Sequence, residues 1–288
     1  MKRFVREDNS LGKRFAARAA AAVSGALQKG ACILESWFFP PQCLGCKSYL
    51  HQLSTDAEPH PLSLSQCFCR ACLSEGEHPI RPPYCTRCGV QLPHGHTRNH
   101  TCGACIKKPP LLEKVRAVFS YEGIIRKAIP MFKYRCALNL APVFEARLFE
   151  SFLQHFDHPE ETAGVDMIIP IPLHLSKLRQ RGFNQAYLLV RHFRHFYYRR
   201  RDRYPQWQIN LDALNRQKRT PSQTGLTENQ RRKNLKGAFC INEPEQVKGK
   251  SILLVDDVLT TGATCGEAAR LLLRHGAESV SALVLART

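Results

Sequence analysis

Hydrophobic and polar positions alternate in blocks over residues 111–288. Apolar runs such as VRAVFSY, DMIIPIPL, SILLVDDV and VSALVLA are separated by segments with helical periodicity, such as NQAYLLVRHFRHF and TCGEAARLLLRHG. Continuous apolar strands that alternate with helices are typical of a parallel sheet covered by helices. We therefore predict an α/β fold for this part of the chain, which we treat as one domain.

The first 110 residues lack this alternation. Residues 1–36 are basic and rich in alanine, and they predict a weakly amphipathic helical lead-in. Residues 37–110 contain nine of the 13 cysteines, many turn-forming residues and little periodicity, which indicates a separate domain. Within the α/β part, the basic and polar segment 199–240 predicts a long loop with some local structure.

The chain is strongly basic. Its 288 residues carry 42 Lys and Arg against 24 Asp and Glu, a formal net charge of +18. An excess of this size indicates a polyanionic partner, either nucleic acid, a membrane surface or a phosphate-rich small molecule, although solubility alone is the simpler alternative. No apolar run reaches the roughly 18 residues of a membrane span. We therefore expect no transmembrane segment, and the N-terminal stretch lacks the apolar core and cleavage site of a signal peptide.

Eight of the cysteines form four CxxC pairs. They are Cys43 with Cys46, Cys69 with Cys72, Cys85 with Cys88, and Cys102 with Cys105. A CxxC pair directs two thiolates at one tetrahedral metal, and two pairs complete a zinc site with four thiolate ligands. Pairing in chain order predicts two structural zinc ions, although a crossed arrangement is also open. A segment so poor in core residues needs a metal to fold, and reduced thiols without metal are the alternative.

Other residues could enter these zinc sites. Cys67 could replace Cys69, and a cysteine of the second site could be replaced by His94, His96 or His100. The four isolated cysteines are expected to be buried apolar residues; they are Cys32, Cys136, Cys240 and Cys265. CxxC pairs indicate an intracellular metal or redox protein rather than a secreted disulfide scaffold. We therefore expect the chain to be cytoplasmic.

The segment 252-ILLVDDVLTTGAT-264 combines two acids with a loop of hydroxyls and glycine. We predict that the strand ends at Asp256 and Asp257 and that a helix begins near Cys265. A helix N-terminus offers free N–H groups and a positive dipole end, which together bind anions, and Gly262 permits a close approach of the backbone to a phosphate. These features predict a sugar-phosphate site at the carboxyl end of the sheet. Simple capping of the strand and the helix is the alternative.

This segment closely resembles the phosphoribosyl pyrophosphate (PRPP) motif of type I phosphoribosyltransferases. The resemblance implies that Asp256 and Asp257 contact the ribose hydroxyls. It implies that the 5′-phosphate is held by Thr260, Thr261, Gly262, Ala263 and Thr264. It also implies magnesium, which accompanies PRPP and bridges its ribose and pyrophosphate oxygens.

Three further segments resemble the ComF/GntX family of bacterial competence-associated proteins. They are residues 168–186, residues 216–239, and the cysteine-rich region followed by residues 119–135. The resemblance covers residues 37–288 and implies a type I phosphoribosyltransferase-like parallel sheet flanked by helices, joined to an N-terminal double zinc ribbon. The segment 216–236 resembles a mobile loop that closes over PRPP.

Cations and small residues near these segments are candidates for pyrophosphate contacts. The candidates are Lys133, Lys177, Arg179, Arg181, Gly182, Asn184, Arg216 and Arg219. Cations there would stabilise the charge that develops as pyrophosphate leaves. Each cation taken alone could equally be a solvated surface charge.

Residues 184–203 predict one helix in which aromatic residues interleave with arginines. Arginines track a phosphate backbone, and aromatic rings stack on unpaired bases. The candidates for nucleic-acid contacts are Arg199, Arg200 and Arg201. Packing of Phe193 and Phe196 on the sheet is the alternative. The ComF/GntX family is associated with DNA uptake, so the resemblance implies single-stranded DNA and competence-machinery proteins as partners.

The leading functional hypothesis is a ComF-type competence factor that binds PRPP-like ligands with magnesium, and single-stranded DNA through its basic surface. One alternative is an active phosphoribosyltransferase in which an unidentified acceptor attacks ribose C1 as pyrophosphate departs. A second alternative is a non-catalytic sensor whose bound PRPP controls a partner. The sequence contains no recognisable base-binding hood or acceptor pocket, so the question of catalysis stays open.

Overall fold

The computed structural model describes residues 41–50, 63–93, 95–157, 164–218 and 235–288. The strands are β1 (Val115–Ser120), β2 (Met167–Pro170), β3 (Gln208–Ile209), β4 (Leu214–Arg216), β5 (Phe239–Ile241), β6 (Ser251–Leu259) and β7 (Ser279–Arg287). The α-helices are α1 (Arg70–Leu73), α2 (Gly103–Lys107), α3 (Gly123–Tyr134), α4 (Ala141–His155), α5 (Leu175–Arg181), α6 (Gln185–Leu188), α7 (Phe193–Arg201), α8 (Pro244–Val247) and α9 (Ala263–Arg274). The predicted lead-in, residues 1–36, lies outside the described residues.

Five strands form a parallel sheet in the order β1-β7-β6-β2-β3. Side chains of a strand point alternately to the two faces, and residues 252–255 of β6 follow this rule. Leu253 and Val255 pack into the core beneath α3 and α4, whereas Ile252 and Leu254 pack beneath α9. Burial of both faces explains the continuous apolar runs, and the predicted α/β architecture is confirmed. β4 and β5 form a separate antiparallel pair.

β6 continues past the point at which the sequence predicted its end. It pairs with β7 as far as Leu259, which lies opposite Arg287. Asp256 and Asp257 therefore lie inside the strand and are fixed by its backbone pairing. α9 begins at Ala263 rather than near Cys265, so the loop between the strand and the helix is short.

The helix predicted over residues 184–203 is divided into α6 and α7. The backbone N–H of His192, which lies between them, donates to Glu145 Oε1 at 2.5 Å. The ring Nδ1 of His192 lies 2.9 Å from the other oxygen of this fully buried carboxylate. The N–H of His192 thus bonds to a side chain of another helix. In a continuous helix it would have bonded to a backbone carbonyl one turn earlier, so the helix breaks there.

Part of the cysteine-rich region extends the sheet at the edge formed by β1. The N–H of Ile80 donates to the carbonyl of Val118 at 2.9 Å, and the N–H of Ser120 donates to the carbonyl of His78 at 2.9 Å. Residues 78–80 thus run antiparallel to β1 and cover its free backbone groups. The cysteine-rich and α/β parts are joined by backbone pairing as well as by side-chain packing.

The two halves of the cysteine-rich region are attached in different ways. Cys43 and Phe68 are buried in the same hydrophobic cluster as α3 and α4. Of the described residues between 84 and 105, none belongs to either main hydrophobic cluster. This second half is held by polar contacts: Arg116 of β1 lies 4.9 Å from the Tyr84 ring and donates to the carbonyl of Thr86 at 3.1 Å. The first half is therefore part of the core, and the second is docked on it.

Candidate functional site

Two neighbouring carboxylates lie near the carboxyl end of β6. Asp256 is 8% exposed and Asp257 is 3% exposed. Oδ1 of Asp256 accepts the backbone N–H of Asp257 at 2.9 Å, and Oδ1 of Asp257 lies 2.7 Å from Nζ of Lys133. The other carboxylate oxygen of Asp257 is buried and has no hydrogen-bond partner among the described residues. A buried acceptor without a partner is costly, so this atom fits a hydroxyl or a hydrated magnesium ion supplied by a ligand.

The electrostatics of the acid pair reflect its burial. Burial and the charge of Asp257 raise the pKa of Asp256, and Lys133 and Arg216 oppose that rise. Burial alone lowers the pKa of Lys133, but the charges of the two carboxylates outweigh it, and the pKa of Lys133 is raised. Burial lowers the pKa of Arg216, and the charge of Asp256 opposes this. Two buried acids and two partly buried cations thus interact electrostatically, and their opposite charges compensate.

The two cations of this cluster come from distant parts of the chain. Lys133 lies in the last turn of α3. Arg216 lies in β4 opposite Phe239 of β5, and its guanidinium is 5.5 Å from that ring. The sequence predicted both as pyrophosphate contacts, and the structure places both beside the acids. Arg219 and most of the predicted mobile loop, residues 219–234, lie outside the described residues.

The loop after the acids forms the N-terminus of α9. Gly262 has φ +71° and is the N-cap of this helix, a left-handed conformation that a side chain would strain. Oγ1 of Thr261 accepts the N–H of Ala263 at 3.4 Å, and Thr264 belongs to the first turn. Thr260 precedes Thr261 directly after β6. An anion here would meet the positive end of a helix of twelve residues, a short distance along the chain from the acid pair.

The segment RGFNQ after β2 is fixed mainly by contacts within the protein. Gly182 has φ +82° and ends α5. The side chain of Asn184 caps α6 by accepting the N–H of Ala186 at 3.0 Å, and its Nδ2 donates to the carbonyl of Ile171 at 3.2 Å. The predicted contact between Asn184 and a ligand therefore competes with two hydrogen bonds that shape the loop.

The cations of α5 differ in their surroundings. Arg181 lies 4.9 Å from the ring of Tyr134 and donates to Oε1 of Gln185. Lys177 is partly buried, and Arg179 is exposed. The contact with Tyr134 fixes Arg181 against the end of α3, the helix that supplies Lys133.

The CxxC pairs form two clusters in chain order. Cys43, Cys46, Cys69 and Cys72 form one, and Cys85, Cys88, Cys102 and Cys105 form the other, with all Sγ atoms of a cluster within 4.8 Å of one another. Sγ–Sγ distances of 3.6 Å, 3.5 Å and 3.9 Å occur between Cys43 and Cys72, Cys46 and Cys69, and Cys88 and Cys102. Four sulfurs about 2.3 Å from a tetrahedral zinc lie about 3.8 Å apart. Both clusters therefore fit a zinc ion.

Backbone N–H groups donate hydrogen bonds to cysteine sulfurs in both clusters. The N–H of Cys69 donates to Sγ of Cys43 at 3.2 Å, and the N–H of Cys102 donates to Sγ of Cys85 at 3.3 Å. Burial raises the pKa of Cys85, but backbone N–H groups outweigh it and lower that pKa to about 6. Such N–H groups favour the thiolate, which is the form that binds zinc.

The alternative ligands that the structure describes lie outside the clusters. Cys67 is buried, its Sγ lies 3.8 Å from the carbonyl of Asn139, and burial raises the pKa of Cys67 to about 11. The rings of His96 and His100 lie 4.6 Å apart on the surface, and His94 and Cys32 lie outside the described residues. Among the isolated cysteines, Cys265 is buried as predicted, whereas Cys240 is half-buried. The prediction for Cys136 was wrong, because a left-handed backbone after α3 exposes it.

α7 combines a buried aromatic face with an exposed basic face. Phe193 and Tyr197 are buried in the core, and Phe196 packs against it. Arg199 and Arg200 are exposed, and Arg201 makes an ion pair with Asp157 at 3.0 Å. Packing on the sheet thus accounts for these three rings.

One exposed aromatic pair escaped the sequence analysis. Tyr204 stacks on Tyr198 of α7 with ring centroids 4.8 Å apart, and Arg194 lies 5.9 Å from the Tyr204 ring. Tyr204 is 64% exposed. Its place directly after the arginine run was the available signal, but the stacking depends on the left-handed turn at Asp202.

The sequence of this chain is similar to a known domain family and to several known bacterial proteins. The model of the phosphoribosyl transferase domain matches residues 179–288, which confirms the predicted phosphoribosyltransferase-like fold. The chain is 34% identical to DNA utilization protein YhgH of Escherichia coli O157:H7 over 71% of this chain and 84% of that protein. It is 29% identical to competence protein F of Haemophilus influenzae over 87% of this chain and 98% of that protein.

A third relative has a similar span. Competence protein ComFC of Bacillus subtilis is 29% identical over 85% of this chain and 95% of that protein.

Within the residues that the structure describes, no helix has the length and apolar character needed to cross a membrane.

Proposed function

This chain belongs to the ComF family, together with DNA utilization protein YhgH and competence protein F, and from that premise we propose that it binds PRPP or a related sugar phosphate. The observation that carries the proposal is the unpartnered carboxylate oxygen of Asp257, which is buried and lies a few residues before the N-terminal loop of α9 in the chain. A ribose hydroxyl would give that oxygen the hydrogen bond that it lacks.

The proposed roles follow from position in the site. Asp256 and Asp257 accept hydrogen bonds from the ribose hydroxyls, and Lys133 holds Asp257 in place. The loop from Thr260 to Thr264 receives the 5′-phosphate at the helix N-terminus. Magnesium bound with PRPP would neutralise pyrophosphate charge and take oxygen ligands from the substrate, with the acids as its protein contacts. Arg216, near Asp256, is positioned to balance charge when the ligand arrives.

A calorimetric titration with PRPP and magnesium tests this proposal. The affinity of wild type is compared with that of the double variant Asp256→Asn and Asp257→Asn. A second measurement addresses chemistry. Release of labelled pyrophosphate in the presence of candidate acceptors would identify the protein as a phosphoribosyltransferase. Saturable binding without release would favour a sensor of PRPP.

We also propose a role in DNA use, with single-stranded DNA bound on the exposed side of α7. Arg194 lies beside the stacked pair of Tyr198 and Tyr204, and Arg199 and Arg200 are exposed in the last turn of the same helix. Cations that follow a phosphate backbone, next to an exposed ring on which a base can stack, suit an unpaired strand better than a duplex. The net charge of +18 favours the same class of partner.

A triple variant, Arg194→Ala, Arg199→Ala and Arg200→Ala, is expected to weaken binding of a labelled oligo-dT at low salt by at least about tenfold. The slope of log affinity against log salt should fall by about 2, since each lost phosphate contact removes about 0.7. Fluorescence anisotropy measures both quantities. The control variant carries Arg126→Ala, Lys248→Ala and Arg274→Ala, which removes three exposed cations on other elements. Equal losses in both variants would indicate only nonspecific attraction, and the absence of binding at low salt would refute the role.

A further inference from the structure

The second cysteine cluster is docked on the sheet through three successive carbonyl groups of its first knuckle, residues 85–88. The carbonyls of Thr86, Arg87 and Cys88 accept hydrogen bonds, in that order, from Nη1 of Arg116 at 3.1 Å, the backbone N–H of Val115 at 2.7 Å, and Nη1 of Arg287. Arg116 and Val115 belong to β1, and Arg287 is the last residue of β7. The backbone of the knuckle therefore lies directly against these two strands.

The other side of the same backbone faces a cysteine sulfur. Burial raises the pKa of Cys85, but N–H groups that bond to its sulfur, among them those of Arg87 and Cys88, lower that pKa to about 6. The peptide unit between Thr86 and Arg87 thus bonds to Arg116 through its C=O and to the sulfur through its N–H. Hydrogen bonds that share a peptide unit polarise and strengthen one another. The knuckle therefore connects the charge of a thiolate to that of an arginine.

Both arginines need a countercharge. Arg116 is 8% exposed, and Nε of Arg116 and Nε of Arg287 are buried without a hydrogen-bond partner among the described residues. Neither guanidinium forms an ion pair with a carboxylate in the part of the chain that the structure describes. Burial lowers the pKa of Arg116, whereas negative charge on Tyr84 and on the two cysteines of the knuckle raises it. Since a buried cation is costly without an anion, the thiolates of the cluster are the countercharge that remains.

The corresponding knuckle of the first cluster, residues 43–46, has an apolar environment. Cys43 is buried in the hydrophobic cluster beneath α3 and α4, and Leu44 packs against that cluster. The N–H of Leu44 donates to the carbonyl of Cys67 at 2.8 Å, within the cysteine-rich region itself. Apolar packing holds this knuckle in place. The first cluster is therefore an internal control for the effect of charge on the second.

We propose that Arg116 and Arg287 are positioning residues of the second zinc site, and that they couple zinc binding there to the docking of the cluster on the sheet. Four thiolates and one zinc ion carry a net charge of about −2, which two guanidinium groups balance. Without zinc, the thiols hold protons, the arginines lose their countercharge, and the knuckle separates from β1. The proposal is independent of any ligand at the acid pair.

The zinc affinity of each cluster in the full chain tests the role of the arginines. In zinc-buffered solutions, N-ethylmaleimide modifies the cysteines that hold no zinc, and mass spectrometry distinguishes peptides of residues 43–72 from those of residues 85–105. The double variant Arg116→Gln and Arg287→Gln is expected to raise the zinc Kd of the second cluster at least about tenfold. The Kd of the first cluster should stay within about twofold of wild type.

Variants that keep the charge separate its effect from that of the hydrogen bonds. Arg116→Lys with Arg287→Lys should bring the Kd of the second cluster to within about threefold of wild type, whereas glutamine keeps a donor for the carbonyls without the charge. The control Arg274→Gln, at an exposed arginine in the last turn of α9, should bind both ions as wild type does. Equal Kd values for the glutamine and lysine variants, or equal losses in both clusters, would overturn the proposal.

Amide hydrogen exchange tests the coupling in the reverse direction and leaves both arginines in place. In Cys102→Ser, which removes a ligand of the second cluster, the N–H of Val115 should exchange at least about tenfold faster than in wild type. The amides of residues 252–255, in the interior of β6, should exchange at the wild-type rate. Unchanged exchange at Val115 would show that docking does not require zinc, and the proposal would then be wrong.

Discussion

Combined substitution of Asp256→Asn and Asp257→Asn is expected to raise the Kd for PRPP at least about hundredfold. Asparagine keeps the shape of the side chain, but it removes the charge and presents an amide donor to a hydroxyl that must itself donate. It also removes the carboxylate that lies 2.7 Å from the Lys133 ammonium group. The site then loses both of its negative charges. Calorimetry with PRPP and magnesium measures the affinity.

The matched control for this variant is Asp212→Asn, which removes an exposed carboxylate outside the acid pair. It should bind PRPP with wild-type affinity. If the double variant also binds as wild type does, the sugar-phosphate site is not at the end of β6, and the loop before α9 loses its assigned role.

The single variant Asp256→Asn is expected to be more stable than wild type at neutral pH. Burial and Asp257 raise the pKa of Asp256 in the folded state above its ordinary value, so the folded protein holds that proton more tightly than the unfolded chain. Wild-type stability should therefore fall as pH rises from about 4 towards neutrality. Asparagine has no proton to lose, and the gain at pH 7 should exceed about 1 kcal/mol.

Urea unfolding at several pH values measures this difference in stability. The two curves should meet below about pH 3, where the wild-type carboxyl is protonated in both states. A variant that is less stable than wild type at pH 7 would show that Lys133 and Arg216 stabilise the Asp256 carboxylate more than burial and Asp257 disfavour it. Greater stability together with lost PRPP binding would indicate that the acids are retained for the ligand and not for the fold.

Loss of a ligand from the first cysteine cluster is expected to unfold most of the chain, whereas the same loss in the second should unfold a part. Structural zinc binding contributes about 10–16 kcal/mol in small domains, against a total stability of about 5–15 kcal/mol for a typical protein. Cys43 is buried in the core with Phe68. Cys72→Ser should therefore abolish the cooperative thermal transition, and Cys102→Ser should keep it while losing one zinc.

Near-UV circular dichroism and zinc content per chain measure these outcomes. Wild type should hold two zinc ions, one for each cluster of four cysteines. Cys240→Ser serves as the control, because this half-buried cysteine lies outside both clusters; it should keep both ions and the wild-type Tm. Equal Tm values for Cys72→Ser and Cys102→Ser would contradict the difference in attachment that the packing indicates.

The features that the sequence predicted well are those set by short segments. The parallel sheet follows from apolar runs buried on both faces, and the cysteine clusters follow from CxxC spacing, which fixes two sulfurs within one turn. The loop before α9 belongs to the same class, because Gly262 and the threonines adjoin the acids in the chain.

The features that the sequence did not predict depend on contacts between distant segments. The break between α6 and α7 arises because the carboxylate of Glu145 captures the N–H of His192. The pairing of Lys133 with Asp257 requires the packing of α3 on the sheet. The second cysteine cluster lies close to α9, since Cys88 and Gly266 line the same cavity. The periodicity of hydrophobic residues describes one helix or strand at a time, so it does not predict contacts between distant segments.

The backbone pairing of residues 78–80 with β1 affects the tendency of the protein to aggregate. An uncovered edge strand pairs readily with other chains, and β1 is mostly apolar and largely buried. The segment that shields it lies between the two cysteine clusters in the chain, so each of its ends leads to one of them. A chain made during zinc starvation would therefore present a template for aggregation, so that metal supply decides how much of the protein stays in solution.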